Sequence, residues 1–163
     1  MRATVTLLFL ILIAVLTPAQ AHTRSQSFST WIADGNALRG VYQVDAYRAT
    51  QLSAAPQDLG VILREHLART VSLVQGGAAC RLDPLKSLEA PRGDLRVEFR
   101  FICPQPLAAA PLLLTVAAFF DVSISHVHYL RVTLSRASVE AILSDGRRDL
   151  VILGERRPWR RLC

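Results

Sequence analysis

Hydrophobic and polar residues alternate along most of this chain, and only one stretch breaks into helical spacing. The clearest alternation is LRVEFRFIC, where Leu95, Val97, Phe99, Phe101 and Cys103 fall on one face and Arg96, Glu98 and Arg100 on the other. Successive strand side chains point to opposite faces, so this pattern predicts a strand with one buried and one solvated side, as in an antiparallel sheet. Upstream, FSTWIA and ALRGVYQVD flank Asp34-Gly35-Asn36, residues that tolerate positive φ, and predict a hairpin. Phe28, Thr30 and Ile32 share one face of its first strand, and Leu38, Tyr42 and Val44 one face of its second. Trp31, opposite Phe28, is expected to pack rather than to bind.

The helical stretch follows Pro56 and Asp58. Leu59, Ile62, Leu63, Leu67, Thr70, Val71 and Val74 recur at helical spacing, and Gly76-Gly77 supply a stop. His66 borders that stripe and reads as a boundary residue. After LRVEFRFIC, Pro104 and Pro106 end the strand. Leu112 to Phe120 then predicts a fully apolar strand, Asp121 to Ser125 a break, and His126 to Leu134 another strand. Val139 to Leu143 and Asp149 to Leu153 predict a last hairpin around Asp145-Gly146. Seven or eight short strands and one helix, with turns at regular intervals, imply a mainly β fold. The expected form is an antiparallel, Ig-like β-sandwich with one packed helix; the runner-up is a single antiparallel sheet covered by that helix.

The amino terminus determines the expected compartment. Arg2, the apolar run Leu7 to Leu16 and Ala19-Gln20-Ala21 have the order of a secretory signal peptide. The apolar run is about half the roughly 20 residues needed to cross a bilayer, which argues against an anchor. The expected organisation is therefore a signal peptide over 1–21, one extracytoplasmic β-domain over 22–154 and a basic tail over 155–163. The formal charge of +6 looks at first like a nucleic-acid surface. Without Arg2 and the tail Glu155 to Cys163, however, 14 basic residues face 12 acidic ones, so no basic face and no nucleic-acid partner is expected. Cys80 and Cys103 flank two apolar segments. A bridge between them would close about two dozen residues and contribute roughly 3 kcal/mol, with two buried thiols as the alternative. Cys163 is left over.

No GxSxG elbow, HExxH, phosphate loop or dinucleotide fingerprint occurs, which points away from catalysis. The polar cluster that remains is in AFFDVSISHVHYLRVTL, where His126 and His128 share one face of a strand. Cleavage after Ala21 would make His22 the first residue, with an amine and a ring nitrogen to chelate one ion. His126 and His128 could add imidazoles and Asp121 an oxygen. Such a nitrogen-rich set suits copper(II), nickel(II) or zinc(II). The plainer alternative is a solvated or hydrogen-bonded HxH pair on a strand edge.

The signal peptide ending AQAH, the hairpin FSTWIADGNALRGVYQVDA, the helix LGVILREHLARTV, the strand VEFRFICP and the block AFFDVSISHVHYLRV together resemble the extracytoplasmic amino-terminal region of HupE/UreJ-type membrane proteins. The resemblance spans about His22 to Leu153. It implies a domain outside the cytoplasmic membrane in proteins linked to nickel handling, followed by transmembrane helices that are not in this sequence. The chain is therefore expected to be either a fragment, its partner the missing carboxy-terminal transmembrane region, or a free periplasmic protein, and the transport function is not carried over to it. The expected function is a non-catalytic periplasmic β-domain that binds or presents a transition metal or docks to a membrane protein partner. One alternative is a free-standing copper or nickel carrier using His22, Asp121, His126 and His128. The other is a copper oxygenase with an amino-terminal histidine brace.

Overall fold

A computed structural model of the chain describes residues 25–53, 58–135 and 137–153. The expected signal peptide, His22, the basic tail and Cys163 lie outside the described residues. The strands are β1 (Gln26–Asp34), β2 (Ala37–Asp45), β3 (Val71–Gln75), β4 (Ala78–Ala79), β5 (Arg81–Leu82), β6 (Lys86–Leu88), β7 (Asp94–Ile102), β8 (Leu112–Val116), β9 (Val127–Thr133), β10 (Ser138–Leu143) and β11 (Asp149–Ile152). Among the described residues two α-helices join them, the single turn α1 (Ala46–Ala49) and α2 (Leu59–Thr70), with short 3-10 turns at Thr50–Leu52 and Leu107–Ala109. A larger sheet runs β10-β9-β1-β2-β7-β5, with β6 also on β7, and a smaller sheet runs β11-β8-β3-β4. The fold is a β-sandwich with one substantial helix.

Its core forms because the alternation of each strand points apolar residues between the sheets. Trp31, Leu38, Tyr42, Val97, Phe99 and Phe101 come from the larger sheet, and Val71, Leu73, Leu114, Val116 and Ile152 from the smaller. Trp31 packs on Phe99 and Phe101, with ring centroids 5.3 and 6.1 Å away. The indole lies flat over Gly40, where a Cβ would come within 2.2 Å of the ring. Only a residue without a side chain lets the two strands carry an indole there. Cys80 and Cys103 form a disulfide that ties the β4–β5 junction to the end of β7.

Helix α2 starts as expected. Asp58 caps it by accepting from the amides of Gly60 and Val61. It stops earlier than its apolar spacing suggests, because Val71 is already extended at φ −117 and ψ 127. Val71, Leu73 and Gln75 are buried at alternate positions of β3. A β-branched, alternating VSLVQ satisfies both periodicities, and pairing with β8 decides for the strand. Gly76 and Gly77, at φ 56 and 90, therefore form the β3–β4 hairpin turn rather than a helix stop.

Two further connections differ from the sequence reading. β10 and β11 meet only at the Ser144–Arg147 bridge and then diverge into different sheets. β1 pairs with β9 in parallel, an exception in an otherwise antiparallel larger sheet. That parallel seam aligns Ser27 with His128 and Phe28 with Tyr129. Among the described residues no helix is long and apolar enough to cross a membrane.

Candidate functional site: a buried serine and histidine ladder

Serines occupy every second position at the entry to β1, with Ser25 just before it and Ser27 and Ser29 within it, and β9 is entered with His126 and His128 at the same spacing. Because the two strands run in parallel and in register, both sets point into the sandwich at the same level. His126 retains 1% of its accessible surface and His128 none. Of the solvated or hydrogen-bonded edge pair that was the plainer expectation, the hydrogen-bonded form is found, but in the core rather than at an edge, and the outward positions belong to Val127, Tyr129 and Arg131.

The five side chains interleave. Ser25 Oγ lies 2.7 Å from His126 Nδ1, and Ser27 Oγ 2.8 Å from His126 Nε2. Ser27 Oγ is also 2.7 Å from His128 Nδ1, and Ser29 Oγ 2.8 Å from His128 Nε2. Trp31 Nε1 donates to Ser29 Oγ at 2.7 Å, and the Tyr42 hydroxyl donates to Ser27 Oγ at 2.7 Å. Every ring nitrogen of both histidines is therefore engaged. Tyr42 stacks on His128 at 5.1 Å, Phe119 stacks on His126 at 5.3 Å, and Phe120 meets the edge of His126.

Donor counting constrains this chain. A hydroxyl has one proton, a neutral imidazole has one N–H, and an indole only donates. Ser27 already accepts from Tyr42, so it accepts from one imidazole and donates to the other. All links must then point the same way. Ser29 has two partners among the described residues, Trp31 and His128. If His128 donated to Ser29, the proton of Ser29 would have no acceptor, a cost of about 1–3 kcal/mol for a buried donor. In the other direction, from Trp31 through Ser29, His128, Ser27 and His126 to Ser25, it is the buried Ser25 proton that has no acceptor among the described residues, so the count gives the links one common direction and both rings the same tautomer without choosing between Nδ1–H and Nε2–H.

Electrostatics agree with neutral rings. Burial, with the Arg48 guanidinium adding to it, lowers the His126 pKa to about 4, and burial followed by His126 itself lowers that of His128 to about 3. Burial also raises the Tyr42 pKa far above its ordinary value, against the opposing effect of the Ser27 bond. The chain cannot pass protons through the molecule, because the donor-only indole closes one end. A hydroxyl within 2.7 Å of an imidazole is the contact of a nucleophile and its base. Here Ser27 is wholly inaccessible, so no substrate reaches it in this arrangement.

The other sequence-selected residues lie elsewhere. Asp121 sits exposed on the turn after β8, where its charge raises the His66 pKa against the larger lowering by burial. His66 is itself buried rather than at a boundary, and its Nε2 accepts from the amide of Phe119 at 3.2 Å. Phe119 needs that support, being at φ 69, in the left-handed region that a bulky residue rarely adopts. Its ring sits between His66 and His126, both at 5.3 Å. Among the described residues no group of three or more His, Cys, Asp or Glu is placed to hold a metal ion.

The serines are the residues that sequence reasoning missed. Their signal was present: SQSFS and HVH both place polar residues at period two on faces that continue as Trp31 and as Leu130 and Val132. No protein-family model matches the chain, and no curated protein matches it.

Proposed function

We propose that this chain is a non-catalytic extracytoplasmic β-domain that docks onto a membrane protein through the outer face of its larger sheet. One observation carries the reading: its chemistry-bearing cluster is sealed and saturated inside, while an apolar row crosses the outside. Ile142, Tyr129 and Phe28 stand side by side on β10, β9 and β1, and are 60%, 37% and 47% exposed. Phe28 and Tyr129 stack at 5.3 Å and 15° across the parallel seam. Water-facing aromatic and aliphatic residues grouped on a sheet are a usual feature of a protein interface. The disulfide fits an oxidising compartment. The resemblance to the soluble region of HupE/UreJ-type proteins implies the same location. The test is a photo-crosslinking residue placed at Tyr129 in the exported full chain. A discrete membrane-protein adduct is expected there and at Ile142, and not at Val151, which is 59% exposed on the smaller sheet. Equal adducts at Val151, or none at Tyr129, would reject the docking face.

A copper- or nickel-binding carrier is the second reading, favoured by the position of Ser25. His22 precedes Ser25 by three residues, and three residues span at most about 11 Å. Ser25 Oγ touches His126 Nδ1. Coordination at that nitrogen needs it unprotonated, a condition the ladder meets when both rings carry their proton on Nε2. Calorimetric titration with copper(II) and nickel(II), compared with His22→Ala, tests this reading. Binding that is lost in the variant and moves the His126 ring-nitrogen resonances would support it. Unchanged rings would remove the ladder from the site.

A further inference from the structure

We infer that the free edge of β10 is a docking site for an extended segment of a partner protein, one that carries a lysine or arginine opposite Glu140 and an apolar residue opposite Ile142. The inference rests on the docking reading above and specifies which backbone groups make the contact.

β10 is the last strand of the larger sheet. The amide of Leu134 donates to the carbonyl of Ala137, which marks that pair as hydrogen-bonded, and the register then pairs Ser138 with Thr133 and Val139 with Val132. In an antiparallel ladder hydrogen-bonded and non-hydrogen-bonded pairs alternate. Val139, Ala141 and Leu143 therefore direct their backbone groups to β9, and Ser138, Glu140 and Ile142 direct theirs off the sheet. Beyond them the edge closes, because Ser144 and Arg147 exchange both of their backbone bonds. Among the described residues nothing pairs with the three amides and three carbonyls of this window. It borders an open groove lined by Phe28, Tyr129, Ile142, Arg147 and Leu150.

Exposed edge strands normally carry lysine, proline or a bulge that blocks further pairing. SVEAIL has no lysine or proline. Its single charge is Glu140, whose Oε1 receives both Arg131 Nε, at 2.7 Å, and Arg131 Nη2, at 2.5 Å. Oε2 has no partner among the described residues, and a carboxylate oxygen accepts readily from a second cation. The same residue disfavours a second copy of this chain. Antiparallel self-pairing that uses the whole window sets Glu140 directly against Glu140 of the other copy, and like charges opposite one another repel. The open Oε2 thus leaves a place for one basic side chain of a foreign strand, while the Glu140–Glu140 apposition disfavours a second copy. Strand addition of this kind draws affinity from the backbone and specificity from alternate side chains.

Three capped seven-residue peptides serve as probes. Each alternates threonine and valine, with a central lysine, glutamate or N-methylated lysine. They are titrated into the isotope-labelled protein, purified after export of the full chain. The lysine peptide is expected to shift the amides of Ser138, Glu140 and Ile142 and to slow their hydrogen exchange, with at least fivefold weaker binding by the other two. Glu140→Lys should reverse the order of the lysine and glutamate peptides, and Glu140→Gln should bring them together. Shifts located away from β10, or equal binding by all three peptides, would overturn the edge site. Such a result, alongside retained Tyr129 adducts, would leave the docking face itself standing. Protection of the three amides that grows with protein concentration, with matching sedimentation, would make the occupant a second copy and overturn the basic partner.

Discussion

Ser27 is the residue on which the interior depends. Its single hydroxyl meets Tyr42, His126 and His128, all buried. Ser27→Ala would strand three polar groups at once, and the penalty is that of unmade bonds in a low-dielectric interior. A loss of about 3 kcal/mol or more is expected in urea unfolding, against about 1 kcal/mol for Ser25→Ala at the end of the chain. Similar losses for the two serines would contradict a continuous ladder. Gly40 is the other sensitive position. Gly40→Ala would force Trp31 off its seat and remove the donor that orients Ser29, so a loss of about 3 kcal/mol is expected on overpacking grounds. Of these residues, Trp31 was legible in the sequence as packing. The inward position of Ser27 was signalled by the period-two spacing, but its partners were not, because a serine in a strand carries no sign of what lies across the sheet.

At the scale of elements, the parallel seam between β1 and β9 and the contact of α2 with the Phe119 turn hold the site together. Two hydrogen bonds join the helix to the turn: the amide of Ala117 donates to the Thr70 carbonyl, and Phe119 N–H donates to His66. His66→Leu keeps the volume approximately but leaves the Phe119 amide without its acceptor. A cost of about 1–3 kcal/mol is expected, with loss of exchange protection confined first to the 117–125 turn. Protection unchanged in that turn would show that His66 does not hold it. The helix itself was read correctly at its start, where Asp58 acts locally. Its end was misread because Val71 and Val74 fit both periods, and only the β8 partner distinguishes them.

At the scale of the whole molecule, the buried histidines make stability depend on pH. Their folded pKa values, about 4 and about 3, lie below the ordinary 6.5. Between these limits the unfolded chain binds protons that the folded chain does not, so stability is complete above about pH 6.5 and falls as the pH drops towards 4 and 3. The combined effect is on the order of 8 kcal/mol. Urea midpoints should fall steadily from pH 7 to pH 4.5, while the ring resonances of His126 and His128 stay untitrated above about pH 5. Titration of either ring near pH 6.5 would mean that the ladder is open to water. The disulfide acts on the whole chain as well, and the Cys80→Ser, Cys103→Ser pair should lower stability by about 3 kcal/mol, judged by the same unfolding measurement.

Alternation, turn residues and the capping Asp58 are local properties, written in neighbouring residues, and they determined a β-sandwich with one helix without reference to anything distant. The inward face of LRVEFRFIC and the packing role of Trp31 followed from the same period. Which strands become neighbours is a long-range choice made by total burial, and nothing in SQSFS or HVH alone encodes it. The two segments are about a hundred residues apart in the chain, as the 101-residue separation of Ser25 and His126 records. Only their parallel register turned two histidines that could have faced water or a metal into the middle of a hydrogen-bonded core. That register also left Phe28, Tyr129 and Ile142, rather than the histidines, on the surface available to a partner.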